Sequence, residues 1–166
     1  MSKIKLVIFD LDETLWSMEE GYCSILRPPL QQVGPDTIVD SIGRKIELYG
    51  GVRELLQSLG DAGIILSVAS KNDPEPATEV MKRFRIYDFF TYPQLEWGPK
   101  VRLVKRLLAI LAERDGLEIL PKEALLVDDW RSNVNEVSGL GVRTLLLDSD
   151  ITHVDEVRDL VLEDDL

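Results

Sequence analysis

The sequence has little cysteine, no long apolar run and fewer basic than acidic residues. Cys23 is the only cysteine among 166 residues, which excludes an internal disulfide and a thiolate metal cluster. With 19 Lys and Arg against 30 Asp and Glu, the net charge is -11, which argues against general binding to nucleic acids or anionic membranes. The apolar stretch after residues 1–5 is too short for a signal peptide or a membrane span. We therefore predict a cytoplasmic location, no nucleic-acid or membrane partner, and local cations wherever phosphate is bound.

The composition is otherwise that of a globular domain. Hydrophobic residues make up 45% and charged residues 30% of the chain, so disorder is not indicated. The length of 166 residues is enough for one domain with a sheet covered on both faces. We predict a single domain over residues 1–166.

Short apolar runs alternate along the chain with longer segments of helical periodicity. Near-continuous apolar runs indicate parallel strands covered on both faces, and apolar residues three or four apart indicate amphipathic helices. Strands are predicted at 6–9, 64–69, 124–127 and 142–147, with a weaker one at 89–92. Covering helices are predicted around Val52/Leu55/Leu56/Leu59, Val80/Met81/Phe84 and Val101/Val104/Leu107/Leu108/Leu111. The pattern predicts an α/β fold with a mostly parallel five-stranded sheet and helices on both faces.

Residues 17–50 depart from this alternation. The segment is interrupted by prolines and glycines and carries scattered β-forming residues, which indicates a loop or a small flap. At about 34 residues it is too short for a separate lid domain of the usual size. Within it, Tyr22, Arg27 and Arg44 are candidates for contact with a substrate. Whether this flap or a second subunit covers the site is left open, as is the oligomeric state.

Charged and hydroxyl side chains follow the predicted strands at the ends where open parallel sheets bind ligands. In chain order these candidate site residues are Asp10, Asp12, Ser70, Lys71, Lys100, Asp128 and Asp129. Two carboxylate clusters, a hydroxyl and two lysines are therefore expected to converge on one rim of the sheet.

These residue types suit phosphoryl transfer, which depends mainly on positioning and on cations. Asp10 would attack phosphorus and form an aspartyl phosphate, and Asp12 would protonate the leaving oxygen and later take a proton from water. A protonated Asp12 near neutral pH needs a raised pKa, which partial burial and neighbouring carboxylates favour. Mg²⁺ prefers six oxygen ligands, which Asp10, the main-chain carbonyl of Asp12, Asp129, phosphate and waters could supply.

Phosphate oxygens would be held by a hydrogen bond from Ser70 and by the point charge of Lys100. Lys71 is a second candidate cation. Leu11, between the two carboxylates, is counted with these residues as a substrate or phosphate contact.

In order and spacing, Asp10-Leu11-Asp12-Glu13-Thr14, Ser70, Lys100 and Asp128-Asp129 resemble the four motifs of the haloacid dehalogenase superfamily of phosphatases. Within that superfamily, residues 9–16 and 69–72 are similar to the magnesium-dependent phosphatase-1 group. The resemblance implies a three-layer Rossmann-like core, Mg²⁺ as cofactor, Asp10 as nucleophile and Asp12 as acid and base. It also implies that Asp129 is the direct metal ligand and that Asp128 is its neighbour in the metal site.

The favoured function is a Mg²⁺-dependent phosphomonoesterase acting on sugar phosphates, phosphotyrosine or a phosphoprotein. Two alternatives remain open. The pair Lys71-Asn72 resembles the loading-type members of the same subfamily, which favours a non-hydrolytic carrier-loading relative. A receiver-type signalling domain uses similar residues, but its acidic pair usually follows the first strand and its phosphoaccepting Asp the third. The roles of four residues near the motifs stay open between packing and contact with ligand: Trp16, Trp97, Trp130 and Asn133.

The chain also contains a second copy of the first motif's spacing. Residues 148–152 read Asp-Ser-Asp-Ile-Thr and follow an apolar run. Only 14 residues follow, so no downstream serine, lysine and carboxylate partners are expected. We predict that this copy is a strand-to-helix turn with capping residues.

Overall fold

A five-stranded parallel sheet lies at the centre of the protein in the computed structural model, which describes residues 3–163. In chain order the strands of the structure are β1 Leu6–Phe9, β2 Trp16–Met18, β3 Gln31–Gly34, β4 Thr37–Val39, β5 Lys45–Leu48, β6 Ile65–Ser70, β7 Gln94–Leu95, β8 Ala124–Asp128 and β9 Arg143–Leu146. The helices are α1 Val52–Asp61, α2 Pro74–Arg83, α3 Lys100–Asp115, α4 Arg131–Ser138 and α5 Glu156–Leu162. Short 3₁₀ turns lie at Cys23–Ile25, Tyr87–Phe89 and Pro121–Glu123.

The central sheet has the strand order β7-β6-β1-β8-β9, and every neighbouring pair is parallel. Leu6 of β1 is in register with Ile65 of β6 and with Ala124 of β8. All four residues of β1 are fully buried, as expected of a strand covered on both faces. The carboxyl ends of β6, β1 and β8 therefore lie side by side at one edge of the sheet.

Helices cover both faces of this sheet. Side chains alternate between the faces along a strand, so Val7 and Phe9 pack in one apolar cluster while Leu6 and Ile8 pack in another. The first cluster contains the apolar faces of α1, α2 and α5, and the second contains those of α3 and α4. The predicted α/β fold with a parallel five-stranded sheet and helices on both faces is confirmed.

The longest helix, α3, shows how local sequence sets these boundaries. It begins directly after Pro99, whose backbone is extended, and ends at Gly116, which adopts the left-handed conformation with a φ of 67°. Glycine reaches that conformation without a steric penalty, so it ends the helix while its N–H still bonds to Ala112. Within residues 3–163, none of the helices has the length and apolar character needed to cross a bilayer.

The weak strand predicted at 89–92 is wrong. Tyr87–Phe89 form a 3₁₀ turn, and Tyr92 has a φ of 48°, which interrupts any extended strand there. The fifth strand is Gln94–Leu95, which pairs with the end of β6. The apolar character of the predicted run has another cause, because Phe90 packs into the core from the turn.

Strands β2 to β5 form a separate antiparallel sheet in the order β2-β5-β4-β3. Apart from Trp16, its strands all lie within residues 17–50. Ile38 and Ile46 are cross-strand neighbours and are both fully buried, and they join Trp16 in the first apolar cluster. The segment predicted as a loop or flap is therefore folded as a small sheet that shares the core of the central sheet.

Asp40 closes the turn between β4 and β5. One carboxylate oxygen accepts hydrogen bonds from the main-chain N–H groups of Ile42 and Arg44, and the other accepts from the main-chain N–H of Arg27 and the Arg44 side chain. The Arg44 guanidinium also donates to the carbonyl of Ile25, which ties the turn to the first 3₁₀ turn. Burial raises the pKa of Asp40, but these hydrogen bonds outweigh it and lower the pKa to about 2.

Replacing this acceptor should destabilise the protein in a pH-dependent way. We expect Asp40→Asn to lower the free energy of unfolding at neutral pH by about 2 kcal/mol, since hydrogen bonds to an ionised acceptor are weakened or lost. The pKa of folded Asp40 lies below its unfolded value. The stabilisation is therefore present above about pH 4 and is lost as the pH falls toward about 2. Denaturant unfolding of both proteins at several pH values measures the difference.

The matched control is Asp36→Asn, which removes an ion pair with Arg53 from a half-exposed position. That change should lower the free energy of unfolding by less than about 1 kcal/mol. A difference between wild type and Asp40→Asn that stayed constant from pH 7 to pH 2 would contradict the role assigned to Asp40.

Candidate active site

Polar side chains gather where the three central strands end. Asp10 follows β1, Ser70 is the last residue of β6, and Asp128 is the last residue of β8. A cavity of about 490 Å³ opens at this edge. Its walls include six of the eight residues predicted for catalysis, phosphate and metal, namely Asp10, Asp12, Ser70, Lys71, Lys100 and Asp129, and the candidate substrate contact Tyr22, together with Glu13, Gly21, Trp130 and Asn133. The structure thus brings most of the predicted site residues to one place.

The two other predicted residues do not line this cavity. Asp128 is fully buried and contacts Lys100, which does line it. The side chain of Leu11 is fully buried in the first apolar cluster. Any contact of Leu11 with a ligand must therefore be made by its main chain.

Lys100 is a fully buried cation at the first residue of α3. Its ammonium donates to Asp10 Oδ1 at 2.8 Å and to the main-chain carbonyl of Ala69 at 2.6 Å, and lies 2.9 Å from Asp128 Oδ2. Burial lowers the pKa of Lys100, but the two carboxylates outweigh it and raise the pKa above its usual value. Lys100 therefore stays charged and joins residues at the ends of β1, β6 and β8.

Asp129 joins the two carboxylates that contact this ammonium in a cluster of three. Oxygen atoms of Asp10, Asp128 and Asp129 all lie within 4.8 Å of one another. Burial, followed by the charges of Asp10 and Asp128, raises the pKa of Asp129 to about 7. Burial likewise raises the pKa of Asp128. When all four groups are ionised, the cluster carries two negative charges in excess, which one divalent cation would balance.

Asn133 adds an independent sign of a ligand. Its side-chain N–H₂ donates to both oxygens of Asp128 at 3.1 Å, which fixes the amide orientation. Its side-chain oxygen is buried and, among the described residues, has no hydrogen-bond partner. Unpaired buried oxygens are rare, and one on a residue of the cavity wall suits a water molecule or an ion. With the hard carboxylate oxygens, the donor set fits Mg²⁺. The position of Asn133 one helical turn after Asp129 was the only sequence signal for it.

Asp12 lies in a different environment from Asp10. Its Oδ1 accepts from Trp16 Nε1 at 2.8 Å and from the main-chain N–H of Cys23 at 3.1 Å, and its Oδ2 accepts from Asn72 Nδ2 at 2.5 Å. Burial raises the pKa of Asp12 to about 6, although the bonds from Trp16 and Asn72 act in the opposite direction. Asn72 was not predicted as a site residue, because an asparagine after Ser70-Lys71 carries no signal of a contact 60 residues away.

The three tryptophans lie in different environments. Trp16 is fully buried and both packs in the core and bonds to Asp12. Trp130 and Tyr22 line the cavity and are exposed, and Trp97 packs edge-on against Tyr22 with ring centroids 5.4 Å apart. The rim of the cavity is therefore aromatic.

The candidate substrate contacts Arg27 and Arg44 are not among the residues that line this cavity, and Arg44 is paired with Asp40. The second copy of the motif forms a turn between β9 and α5, as predicted. Its capping differs from the prediction, because Glu156 accepts the N–H groups of Thr152 and His153.

This chain is similar to known proteins both in sequence and in fold. The family model described as Acid Phosphatase matches residues 3–160. Human magnesium-dependent phosphatase 1 is 30% identical over 139 residues, which cover 83% of this chain and 74% of that protein.

Two solved structures share the fold. A HAD-superfamily hydrolase from Ehrlichia chaffeensis matches with a TM-score of 0.69 and 16% identity over 98% of both chains. The N-terminal part of a Bacteroides fragilis protein, which contains a phosphatase domain and is complexed with Mg, matches with a TM-score of 0.63 and 23% identity. That match covers 89% of this chain but 37% of the other, so this chain corresponds to about a third of the length of that structure.

The carboxylate cluster predicts a cation-dependent gain in stability. Mg²⁺ should raise the melting temperature of the wild type, because a ligand of the folded state stabilises it by about 2.7 kcal/mol at 100 times its dissociation constant. Asp129→Asn should abolish most of this shift. Without the cation the same variant should be at least as stable as the wild type, because it relieves repulsion among three carboxylates. Thermal unfolding with Mg²⁺ or with EDTA measures both effects.

The control is Asp148→Asn, which makes the same chemical change in the second motif copy at an exposed position. Asparagine tolerates the left-handed backbone that Asp148 adopts, so the fold should be unaffected. An undiminished Mg²⁺ shift in Asp129→Asn would show that the cation binds elsewhere.

Proposed function

This chain belongs to the acid phosphatase family, and we propose that it hydrolyses phosphomonoesters with Mg²⁺ through an aspartyl phosphate on Asp10. The family match confirms the predicted enzyme class, a phosphatase. The observation that supports the mechanism is the contrast between two carboxyl groups of one cavity. Asp10 accepts a hydrogen bond from a buried ammonium, whereas burial raises the pKa of Asp12 to about 6. Two carboxyl groups in such different environments suit a nucleophile and an acid.

The first step forms the phosphoenzyme. A carboxylate oxygen of Asp10 attacks phosphorus, and the bond from phosphorus to the ester oxygen breaks. The carboxyl group of Asp12 gives its proton to that oxygen, so the leaving group departs as an alcohol. In the second step water attacks phosphorus, Asp12 takes a proton from the water, and the bond from phosphorus to Asp10 breaks. Inorganic phosphate leaves, and both carboxyl groups return to their starting states.

The other predicted residues bind and orient the phosphate in this proposal. Ser70 and Lys71 line the cavity and would donate to phosphate oxygens, and Leu11 would contribute its main-chain N–H. Lys100 would hold Asp10 in place and add a positive charge next to the phosphate.

Mg²⁺ would be held by the Asp10 and Asp129 carboxylates and the main-chain carbonyl of Asp12. Asp128 and Asn133 would complete the surroundings of the site. When bound, the ion would neutralise charge on the phosphate oxygens.

The rim of the cavity supports the proposed substrate class. Tyr22 and Trp130 are exposed aromatic side chains that suit contact with a sugar or a phenol ring. We propose sugar phosphates, phosphotyrosine or a phosphoprotein as substrates, with residues 17–50 acting as a flap at the rim of a single domain. The cytoplasmic location and the lack of nucleic-acid and membrane partners remain predictions from cysteine content and charge.

Turnover of p-nitrophenyl phosphate tests the reaction. The wild type should hydrolyse it with Mg²⁺ and lose activity with EDTA. Asp10→Asn should lower kcat by at least about 10³-fold, because no phosphoenzyme can form, and Asp12→Asn should lower it by about 10²-fold or more, as expected for loss of general acid and base catalysis. Asp148→Asn again serves as the control and should retain wild-type kcat.

Trapping of the intermediate separates the alternatives. Wild-type protein quenched during turnover should contain phosphate bound to Asp10, located by mass spectrometry, and Asp10→Asn should contain none. A stable phosphoenzyme that is not hydrolysed would favour signalling or transfer instead. A wild type without metal-dependent turnover of any phosphate ester would contradict the phosphatase proposal.

A further inference from the structure

Asn72 is a fully buried polar side chain beside the candidate catalytic residues. Its Nδ2 donates to Asp12 Oδ2 at 2.5 Å and to Ser70 Oγ at 3.1 Å, which uses both of its N–H groups. Its Oδ1 accepts from the Ser24 main-chain N–H at 3.2 Å, the Ser24 hydroxyl at 2.6 Å and the Cys23 thiol at 3.0 Å. Both ends of the amide are therefore fully engaged, and each end contacts a different part of the chain.

These contacts connect the flap to the acid and base. Cys23 and Ser24 belong to the first 3₁₀ turn, which lies within residues 17–50. The Ser24 hydroxyl also accepts the main-chain N–H of Asp73, so the turn is attached to both residues that follow Lys71. The Cys23 main-chain N–H in turn donates to Asp12 Oδ1. The turn and Asn72 thus each hold one oxygen of the Asp12 carboxyl group.

We propose that Asn72 is a positioning residue that, together with the flap turn Cys23–Ile25, sets the orientation of the Asp12 carboxyl group for protonation of the leaving group. This inference rests on the proposed function. The Trp16 indole fixes Oδ1 from a second side, so a carboxyl held at both oxygens cannot rotate out of line with the ester. Removal of Asn72 frees Oδ2 and at the same time removes the acceptor of the Ser24 hydroxyl.

The orientation of Asp12 matters to a different degree for different leaving groups. In the first step the proton moves from Asp12 to the ester oxygen while that oxygen separates from phosphorus and Asp10 bonds to phosphorus. p-Nitrophenolate is a weak base and departs with little help from an acid, whereas an alkoxide needs the proton. Asn72→Ala keeps the Asp12 carboxylate, which mobile water can still reach in the second step, so the loss should fall on the first step and slow alkyl phosphates much more than p-nitrophenyl phosphate. A loss of general stability or of phosphate binding would slow both esters by the same factor.

The test compares kcat for p-nitrophenyl phosphate and for a primary alkyl phosphate with Mg²⁺. In Asn72→Ala we expect a loss on the order of 100-fold for the alkyl ester and less than about 5-fold for the aryl ester. Ser24→Ala should shift the ratio of the two rates in the same direction but less. Asn135→Ala, at an exposed position of α4, is the matched control and should leave both rates unchanged.

The double variant Ser24→Ala/Asn72→Ala should be no worse than Asn72→Ala, because both changes remove one connection. A second readout does not depend on turnover. Hydrogen exchange at the amides of Cys23 and Ser24 should be faster in Asn72→Ala, since these N–H groups donate to Asp12 and to Asn72.

Equal losses for the two esters, or no loss, would overturn the positioning role while leaving the phosphatase proposal intact. If Asn72→Ala does not fold, an unchanged rate ratio in Ser24→Ala would overturn the role by itself. A wild type inactive on both esters would overturn the proposed function and this inference with it.

Discussion

Three carboxylates held close together repel one another, and the ammonium of Lys100 is what makes their arrangement possible. It contacts Asp10 and Asp128 directly and also binds the carbonyl of Ala69, so it joins residues at the ends of three neighbouring strands. A cation at the first residue of a helix opposes the helix dipole, so helix stability alone does not explain its place there. Removing one partner of a buried ion pair typically lowers the free energy of unfolding by about 3–5 kcal/mol, because a buried charge is left uncompensated. The fold and the site therefore depend on the same ion pairs.

Around this fixed centre, two carboxyl groups one residue apart acquire different properties. Asp10 faces the ammonium, and Asp12 is enclosed by groups from elsewhere in the chain. Trp16 begins the small antiparallel sheet, and Cys23 follows in the turn that Asn72 holds. The small sheet and this turn thus help to bury Asp12, and burial raises its pKa although the hydrogen bonds from Trp16 and Cys23 lower it. Because its interior shares the main core, the position of this turn is set by the same packing that holds the central sheet together.

The sequence was sufficient to predict strands and site residues where the signal lay in a few consecutive residues. Apolar runs identified β1, β6 and β8, and the residues that follow them met at one edge because parallel strands place their ends together. No local signal predicted β7, since a strand of two residues has no periodicity. The run at 89–92 was misleading because Phe90 packs into the core from a turn and not from a strand. The local signal failed for Asn72 as well, because its contacts with Asp12 and Ser24 span 60 and 48 residues. Such contacts follow from tertiary packing, which no local pattern encodes.

The net charge of the protein gives a divalent cation at this site a second role, in the binding of substrate. A chain with a net charge of -11 repels a phosphate dianion, but salt screens charges farther away than about 8 Å at physiological ionic strength. The local charge of the site therefore decides whether phosphate binds. When Asp10, Asp128 and Asp129 are all ionised, they outnumber Lys100, so the local charge is unfavourable and Lys71 alone does not reverse it. A divalent cation among the carboxylates removes the excess negative charge, so it should govern the binding of substrate as well as its reaction.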